Sequence, residues 1–391
     1  MLFPENVLSN ARALFPYTQQ PKIYLNHAGT CPLSTRVVEA MTGYLQRRSE
    51  GVLETYPEDQ EMVQECRSLV ARLVNAESPD RISLQFSTSD AINVVASGVA
   101  WKTGDRVLLS SVEFPANVYP YLNLTAQGVE LDFMSVPDGR VTADLIASRI
   151  TDRTRLVALS AVQFLSGYRA DLKRVGELCR DKGIVFAVDG IQAVGAVCLD
   201  VQKLNIDFLA AGGQKWQMSP HGTGFLYITE ELQSRLRQKN LGWLSVEDPW
   251  SFHKYDQPLA PTARRYEGGS MNMPCLWGMH AALSTLLEFN TEKIESHILS
   301  ITGELIQGLQ HIEGVTMFTP VPDAERAGIV TISLDAPLNV CAVFDKLRGQ
   351  GVTASLRDGK LRYSPHFYNS SDDIRKVVEL TAEFIRQSPV T

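Results

Sequence analysis

From Arg81 to Ile228 short β-rich runs alternate with helical stretches, and this alternation constrains the chain more than any other feature. It is the pattern of an α/β domain with a mainly parallel sheet buried between helices, in which each strand reads as a continuous apolar run. The runs predict strands at Arg81–Phe86, Arg106–Ser110, Glu130–Val136, Arg155–Ala161, Ile184–Val188, Phe208–Ala211 and Gly224–Ile228. Between the fourth and fifth of these, Leu172–Lys182 repeats apolar residues at helical spacing, and Gly183 then stops the helix as a C-terminal glycine does.

Beyond this region the pattern changes. Trp243–Gly269 is rich in Pro, aromatic and charged residues and is too long for an ordinary connection, which predicts a functional or interface loop. A long helical segment from about Cys275 to Ile312 leads to a second αβ unit. Its elements are strands at Val315–Thr319 and Ile329–Leu334, a helix at Val340–Gly351, strands near Thr353–Leu356 and Leu361–Ser364, and a helix at Ser371–Gln387. At 391 residues the chain exceeds what one core usually serves. The expected organisation is an N-terminal segment (1–30) lining the site, a large domain (31–274) and a small C-terminal α+β domain (275–391).

Bulk properties exclude several classes of partner. There are 44 acidic against 37 basic residues, a net charge of −7, and no Lys/Arg run that would follow nucleic acid or anionic lipid. Residues Met1 to Gln20 lack the form of a signal peptide and no apolar run is long enough to span a bilayer, so a cytoplasmic protein is expected. Six cysteines without C-x-x-C spacing argue against a zinc site or a disulfide framework.

Chemistry concentrates at the ends of the predicted strands. Asp189 closes the strand Ile184–Val188, at the edge where open α/β sheets collect ligands. Lys215 follows one strand later in Ala-Gly-Gly-Gln-Lys-Trp, where two glycines let a planar ligand approach the backbone closely. Such a lysine and carboxylate are what pyridoxal 5′-phosphate (PLP) chemistry requires: an amine to form the imine, and an acid to keep the pyridine nitrogen protonated. Ser87-Thr88-Ser89-Asp90 opens a helix whose free N–H groups suit a phosphate, although an ordinary helix cap uses the same residues. Phe114, in Glu113-Phe114-Pro115-Ala116-Asn117, is placed to stack on the ring or to fill core.

Together these segments resemble the class V aminotransferase family of fold type I PLP enzymes, which includes cysteine desulfurases, selenocysteine lyases and isopenicillin N epimerases. The likeness runs from Tyr24-Leu25-Asn26-His27-Ala28-Gly29 to Asn369 and includes Val188-Asp189-Gly190-Ile191-Gln192, Gly213-Gln214-Lys215 and Arg265-Tyr266-Glu267-Gly268-Gly269-Ser270. It implies that Lys215 is the Schiff-base lysine, Asp189 the pyridinium partner and Gln192 a donor near the phenolic oxygen. It makes Thr88 and Gln214, with Ser89 beside them, phosphate ligands. Ser270 would reach the phosphate of a neighbouring subunit in a homodimer with shared active sites. Arg362 would grip the substrate carboxylate, with Asn26 and His27 lining the substrate side.

The chain also departs from the desulfurases. Phe114 and Gln214 stand where they carry His, Val162-Gln163-Phe164 occupies the region of their ring-contacting Asn, and the segment before Arg362 has no cysteine. Cys31 is the thiol nearest the N-terminal active-site segment. The expected activity is Cα chemistry on an amino acid or amine, as an aminotransferase first, with a C–S lyase or an epimerase as alternatives. A degenerate PLP- or amine-binding sensor is the non-enzymatic rival, and a nicotinamide dehydrogenase is disfavoured because no G-x-G-x-x-G follows the first strand.

Overall fold

The structure is a computed structural model and describes residues 1–387. Seven strands form one sheet, in the order Ile82–Gln85, Gly224–Ile228, Phe208–Gly212, Val185–Asp189, Thr154–Ser160, Arg106–Ser110 and Glu130–Met134. Gly224–Ile228 runs antiparallel to both neighbours and every other adjacent pair is parallel. Each strand lies where the sequence predicts it, with ends shifted by a residue or two. Three of them, Val185–Asp189, Phe208–Gly212 and Gly224–Ile228, are buried at every position, as strands covered by helices on both faces must be.

Because Ile82–Gln85 and Phe208–Gly212 both oppose Gly224–Ile228, they point the same way as the remaining strands. One edge of the sheet therefore collects the segments that follow five strand ends: Ser87–Asp90, Glu113–Asn117, Val162–Phe164, Asp189–Gln192 and Gly213–Lys215. The strand ending in Asp189 is the fourth of seven, so that carboxyl lies at the middle of this edge, flanked in register by Ser160 and Ala210. The helix after Ala170 spans Leu172–Asp181, and Gly183 takes the left-handed conformation expected of it at φ 64°.

The segment expected as one helix from Cys275 to Ile312 is two, Met273–Phe289 and Thr291–Leu309. Asn290 breaks it. Its backbone turns to φ 66° and its side chain accepts from Lys293 N at 3.0 Å, so a residue that tolerates the left-handed region also caps the second helix.

Beyond these helices, four antiparallel strands pair in the order Ser355–Arg357, Lys360–Tyr363, Val330–Leu334 and Val315–Met317. Their apolar side packs on Thr291–Leu309 and Ser371–Arg386 and takes Leu25 from the N-terminal segment. Ile23–Tyr24 pairs in parallel with Val352–Thr353, while Phe3 and Phe15 join the core of the large sheet, Phe15 stacked on Tyr368 at 3.9 Å. The first thirty residues thus tie both sheets together beside the Asp189 edge. Among the described residues no helix is long and apolar enough to cross a membrane.

Candidate active site

Asp189 is buried, and among the described residues its carboxyl accepts a single hydrogen bond, from Ile191 N to Oδ1 at 2.9 Å; its Oδ2 has no partner. An orphaned carboxyl oxygen at this depth is costly unless a ligand completes it. Burial pushes the Asp189 carboxyl up to about 7, with Ile191 N–H and Lys215 opposing the rise and Glu113 adding to it. Lys215 is also buried and its Nζ lies 5.4 Å from the centre of the Phe114 ring. Burial pushes its amine down to about 8; Asp189 acts against that, and Arg362 and Arg357 reinforce it. An amine whose basicity is lowered this far is partly unprotonated near neutrality and can attack a carbonyl or move a proton far more readily than an ordinary lysine.

Around this pair the backbone is shaped for a ligand. Thr88 Oγ1 accepts from Gly212 N at 2.9 Å, and a Cβ at Gly212 would lie 2.6 Å from Gln214 Oε1 and 3.1 Å from Thr88 Oγ1. Glycine there keeps Thr88 and Gln214 close together at the start of the Thr88–Gly98 helix, where N–H groups are free for an anion. Ser89 is half-buried in the first turn of the same helix.

The N-terminal segment closes one side. Cys31 N donates to Gln214 O at 3.0 Å and Ala28 N to Ser364 Oγ at 3.0 Å, so Asn26–Cys31 bridges the Lys215 turn and the strand that carries Arg362. Gln192 takes part in the same bridge, donating to Ala28 O at 3.1 Å and accepting from Trp216 Nε1 at 2.8 Å. These bonds hold the amide in place and leave its second N–H for a ligand. His27 is fully buried with both ring nitrogens engaged, by Ser364 O at 2.8 Å and Tyr368 Oη at 2.5 Å. It holds the segment in position. Asn26 keeps a buried Oδ1 without a partner among the described residues.

Arg362 is buried with no carboxylate near it: its Nη1 donates to Phe164 O at 2.6 Å, its Nε is unpartnered, and it enters no ion pair among the described residues. Burial and the nearby Arg357 push its guanidinium down to about 10. A buried guanidinium facing other cations is incomplete without an anion. Phe164 meets Phe114 edge to face at 5.3 Å, which joins Arg362 to the wall beside Lys215. Phe114 itself is 41% exposed, so it lines the opening and is not core.

Ser270 lies elsewhere. It borders a groove of about 370 Å³ with Tyr56, Arg264 and Trp250, whose lining includes neither Lys215 nor Asp189. Cys31 sits beside the site, but burial pushes its thiol up to about 12.

Two further residues bear on the site and have little local signature. Glu113 is buried behind Phe114 and accepts from Ser110 Oγ, Asn117 Nδ2, Ser160 N, Ser160 Oγ and Gln163 Nε2. Its spacing from Ser110 and Asn117 is a local feature; its other partners lie 47 and 50 residues away. Arg357, exposed at the end of its strand, comes near Lys215 and Arg362 only once the small sheet has formed.

The family model described as Aminotransferase class-V matches residues 23–376. A protein named probable cysteine desulfurase from Methanothermobacter thermautotrophicus is 28% identical over 382 residues, covering 92% of this chain and 94% of its own. The structure of a cysteine desulfurase from Thermococcus onnurineus matches with a TM-score of 0.87 at 26% identity, covering 99% of each chain. That of the cystine C–S lyase C-DES with its product cysteine persulfide matches with a TM-score of 0.86 at 25% identity, covering 95% of this chain and 99% of its own. The residues at the sheet edge fit the cofactor this family uses: an unfilled carboxyl oxygen for a ring nitrogen, a low-basicity lysine, and a glycine-lined cradle at a helix start.

Proposed function

Since the chain belongs to the class V aminotransferase family of PLP-dependent enzymes, we propose that it acts at the Cα of an amino acid, with Lys215 holding the cofactor covalently and moving the Cα proton. The observation that carries this reading is the convergence of Lys215, the unpartnered Asp189 oxygen and the unpaired guanidinium of Arg362. When bound, PLP supplies an electron-withdrawing ring that makes the substrate's Cα–H acidic. Asp189 Oδ2 would hold the ring nitrogen's proton, Phe114 would cover the ring face, and Gln192 would donate toward the phenolic oxygen. Thr88, Ser89 and Gln214 would hold the phosphate. Arg362 would fix the substrate carboxylate with a planar fork, which orients the Cα–H toward the Lys215 amine.

Transamination and β-elimination begin with the same proton transfer, so fold does not choose between them. Transamination is the first reading. Elimination with C–S cleavage is the second, favoured by the likeness to a protein named cystine C–S lyase. A route through a persulfide on the protein itself is not supported. The segment before Arg362 is a tight hairpin, Ser355–Arg357 paired with Lys360–Tyr363, and it carries no thiol. Incubating the PLP-loaded protein with a panel of amino acids, with and without a keto acid acceptor, separates the outcomes by product. Lys215→Ala should lower kcat by roughly 10³-fold or more; turnover near the parent rate would end the reading.

The site is also read as shared across a two-fold dimer, with Ser270 reaching the other subunit's phosphate. What supports this is the placement of Ser270 in a groove that Lys215 does not line, beside the exposed Trp243, Trp250 and Phe252. Sedimentation of the loaded protein should give a dimer, and a monomer that keeps PLP and full activity would refute it.

A further inference from the structure

We propose that Arg357 recognises a second anionic group on the substrate, so that the enzyme acts on an amino acid whose side chain ends in an acid. This deepens the proposed function and rests on the reading of Arg362 as the α-carboxylate clamp. Ser355–Arg357 and Lys360–Tyr363 pair antiparallel, with Ser355 opposite Arg362 and Arg357 opposite Lys360. The turn between them, Asp358-Gly359, has φ 46° and 68°, the left-handed pair of a two-residue hairpin turn that fixes this register. Residues directly opposite share a face and residues two apart on a strand return to it, so Ser355, Arg357, Lys360 and Arg362 all project from one side.

That side faces the site, because Arg362 reaches Phe164 O at 2.6 Å and Phe164 packs on Phe114 beside Lys215. The hairpin tip lies against the same wall: Asp358 borders a cavity of about 170 Å³ with Glu113, Gln163, Phe164 and Phe318. Arg357 and Arg362 are diagonal neighbours, roughly 7–8 Å apart at the backbone. Two guanidinium forks on that spacing can hold the two ends of one small molecule.

Charge balance points the same way. Glu113 is occupied by its five donors, and Arg357 enters no ion pair among the described residues, not even with Asp358 next to it in sequence. Lys360 is occupied by an aromatic face, its Nζ 4.8 Å from the centre of the Phe318 ring. The cofactor phosphate belongs to the Thr88 cradle and the α-carboxylate to Arg362. That leaves Arg357 without an assigned anion, and its charge is felt at both Lys215 and Arg362. A substrate with one carboxylate would leave that repulsion standing; a second anion removes it.

Calorimetric titration of the PLP-loaded protein with glutarate and with butyrate, neither of which has an amine to react, tests the spacing directly. Glutarate should bind about tenfold or more tightly than butyrate. Arg357→Leu should abolish that gap without weakening butyrate, Arg357→Lys should keep part of it, and Arg362→Leu should weaken both ligands. Equal affinities in the parent, or a gap that survives Arg357→Leu, would overturn the inference and leave the proposed Cα chemistry intact. If the gap is found but no acidic amino acid, from aspartate to 2-aminoadipate and cystine, is transformed, the proposed reaction fails and the anion site stands.

Discussion

Two buried acids lie at the same sheet edge and could hardly be treated more differently. Glu113 accepts five hydrogen bonds from its own chain, so its charge is met before any ligand arrives. The Asp189 carboxyl accepts one and leaves an oxygen bare, while Arg362 has a bare Nε and no carboxylate partner among the described residues. Burial alone does not mark a functional residue. What separates the two regions is whether the protein completes its own polar groups, and the incomplete set defines the shape of what is missing.

If Glu113 is structural in this sense, removing it should cost stability more than chemistry. Glu113→Ala leaves the Ser160 N–H and the Asn117 and Gln163 amides behind Phe114 without their acceptor, a loss of roughly 3–5 kcal/mol in sum. Urea denaturation of the PLP-free protein measures it. A loss well under 1 kcal/mol would break the comparison, because Glu113 would then be as replaceable as a surface acid.

The incomplete region should respond the opposite way. Arg362→Leu removes a buried, unpaired cation, so the PLP-free protein should be no less stable. The KM for amino-acid substrates should rise by about 10- to 100-fold as a charge-assisted contact is lost. PLP retention should hardly change. Unaltered kinetics would remove Arg362 from the substrate side and sharpen the question of what its guanidinium faces.

Much of this is legible in the sequence, for a physical reason. Buried parallel strands are continuous apolar runs, so the apolar pattern alone locates the seven strands and the residues at their ends, Thr88, Asp189 and Lys215. Whatever depends on distant partners is not legible in this way. Glu113 stands in a segment that the sequence marks for Phe114, but its role is set by Ser160 and Gln163. Arg357 lies in a stretch whose one sequence feature is the lack of a cysteine, and its direction is set by the Asp358-Gly359 turn and the register it imposes. His27 is expected from the sequence on the substrate side. Its neighbours Ser364 and Tyr368, more than 330 residues on, occupy both nitrogens instead.

The smallest effect should appear in how the PLP-free protein responds to pH. The folded state raises the Asp189 carboxyl to about 7, chiefly through burial, whereas an unfolded aspartate titrates near 3.8. A group raised by folding contributes stability that is full below its unfolded value and is lost as the pH climbs through the folded one. Asp189 should therefore make the cofactor-free protein less stable between about pH 4 and pH 7. Lys215, lowered by burial to about 8, contributes with the opposite slope in a higher range, lost as the pH falls toward 8 from above its unfolded value of 10.5. Asp189→Asn keeps an oxygen for Ile191 N–H and removes the titration. Its melting temperature should fall less from pH 5 to pH 7 than that of the parent, by roughly a few degrees. PLP loading should narrow the difference in the parent, because the ring nitrogen's proton meets the bare oxygen. If parent and variant run parallel across that range, Asp189 is already satisfied without a ligand, and the contrast with Glu113 collapses.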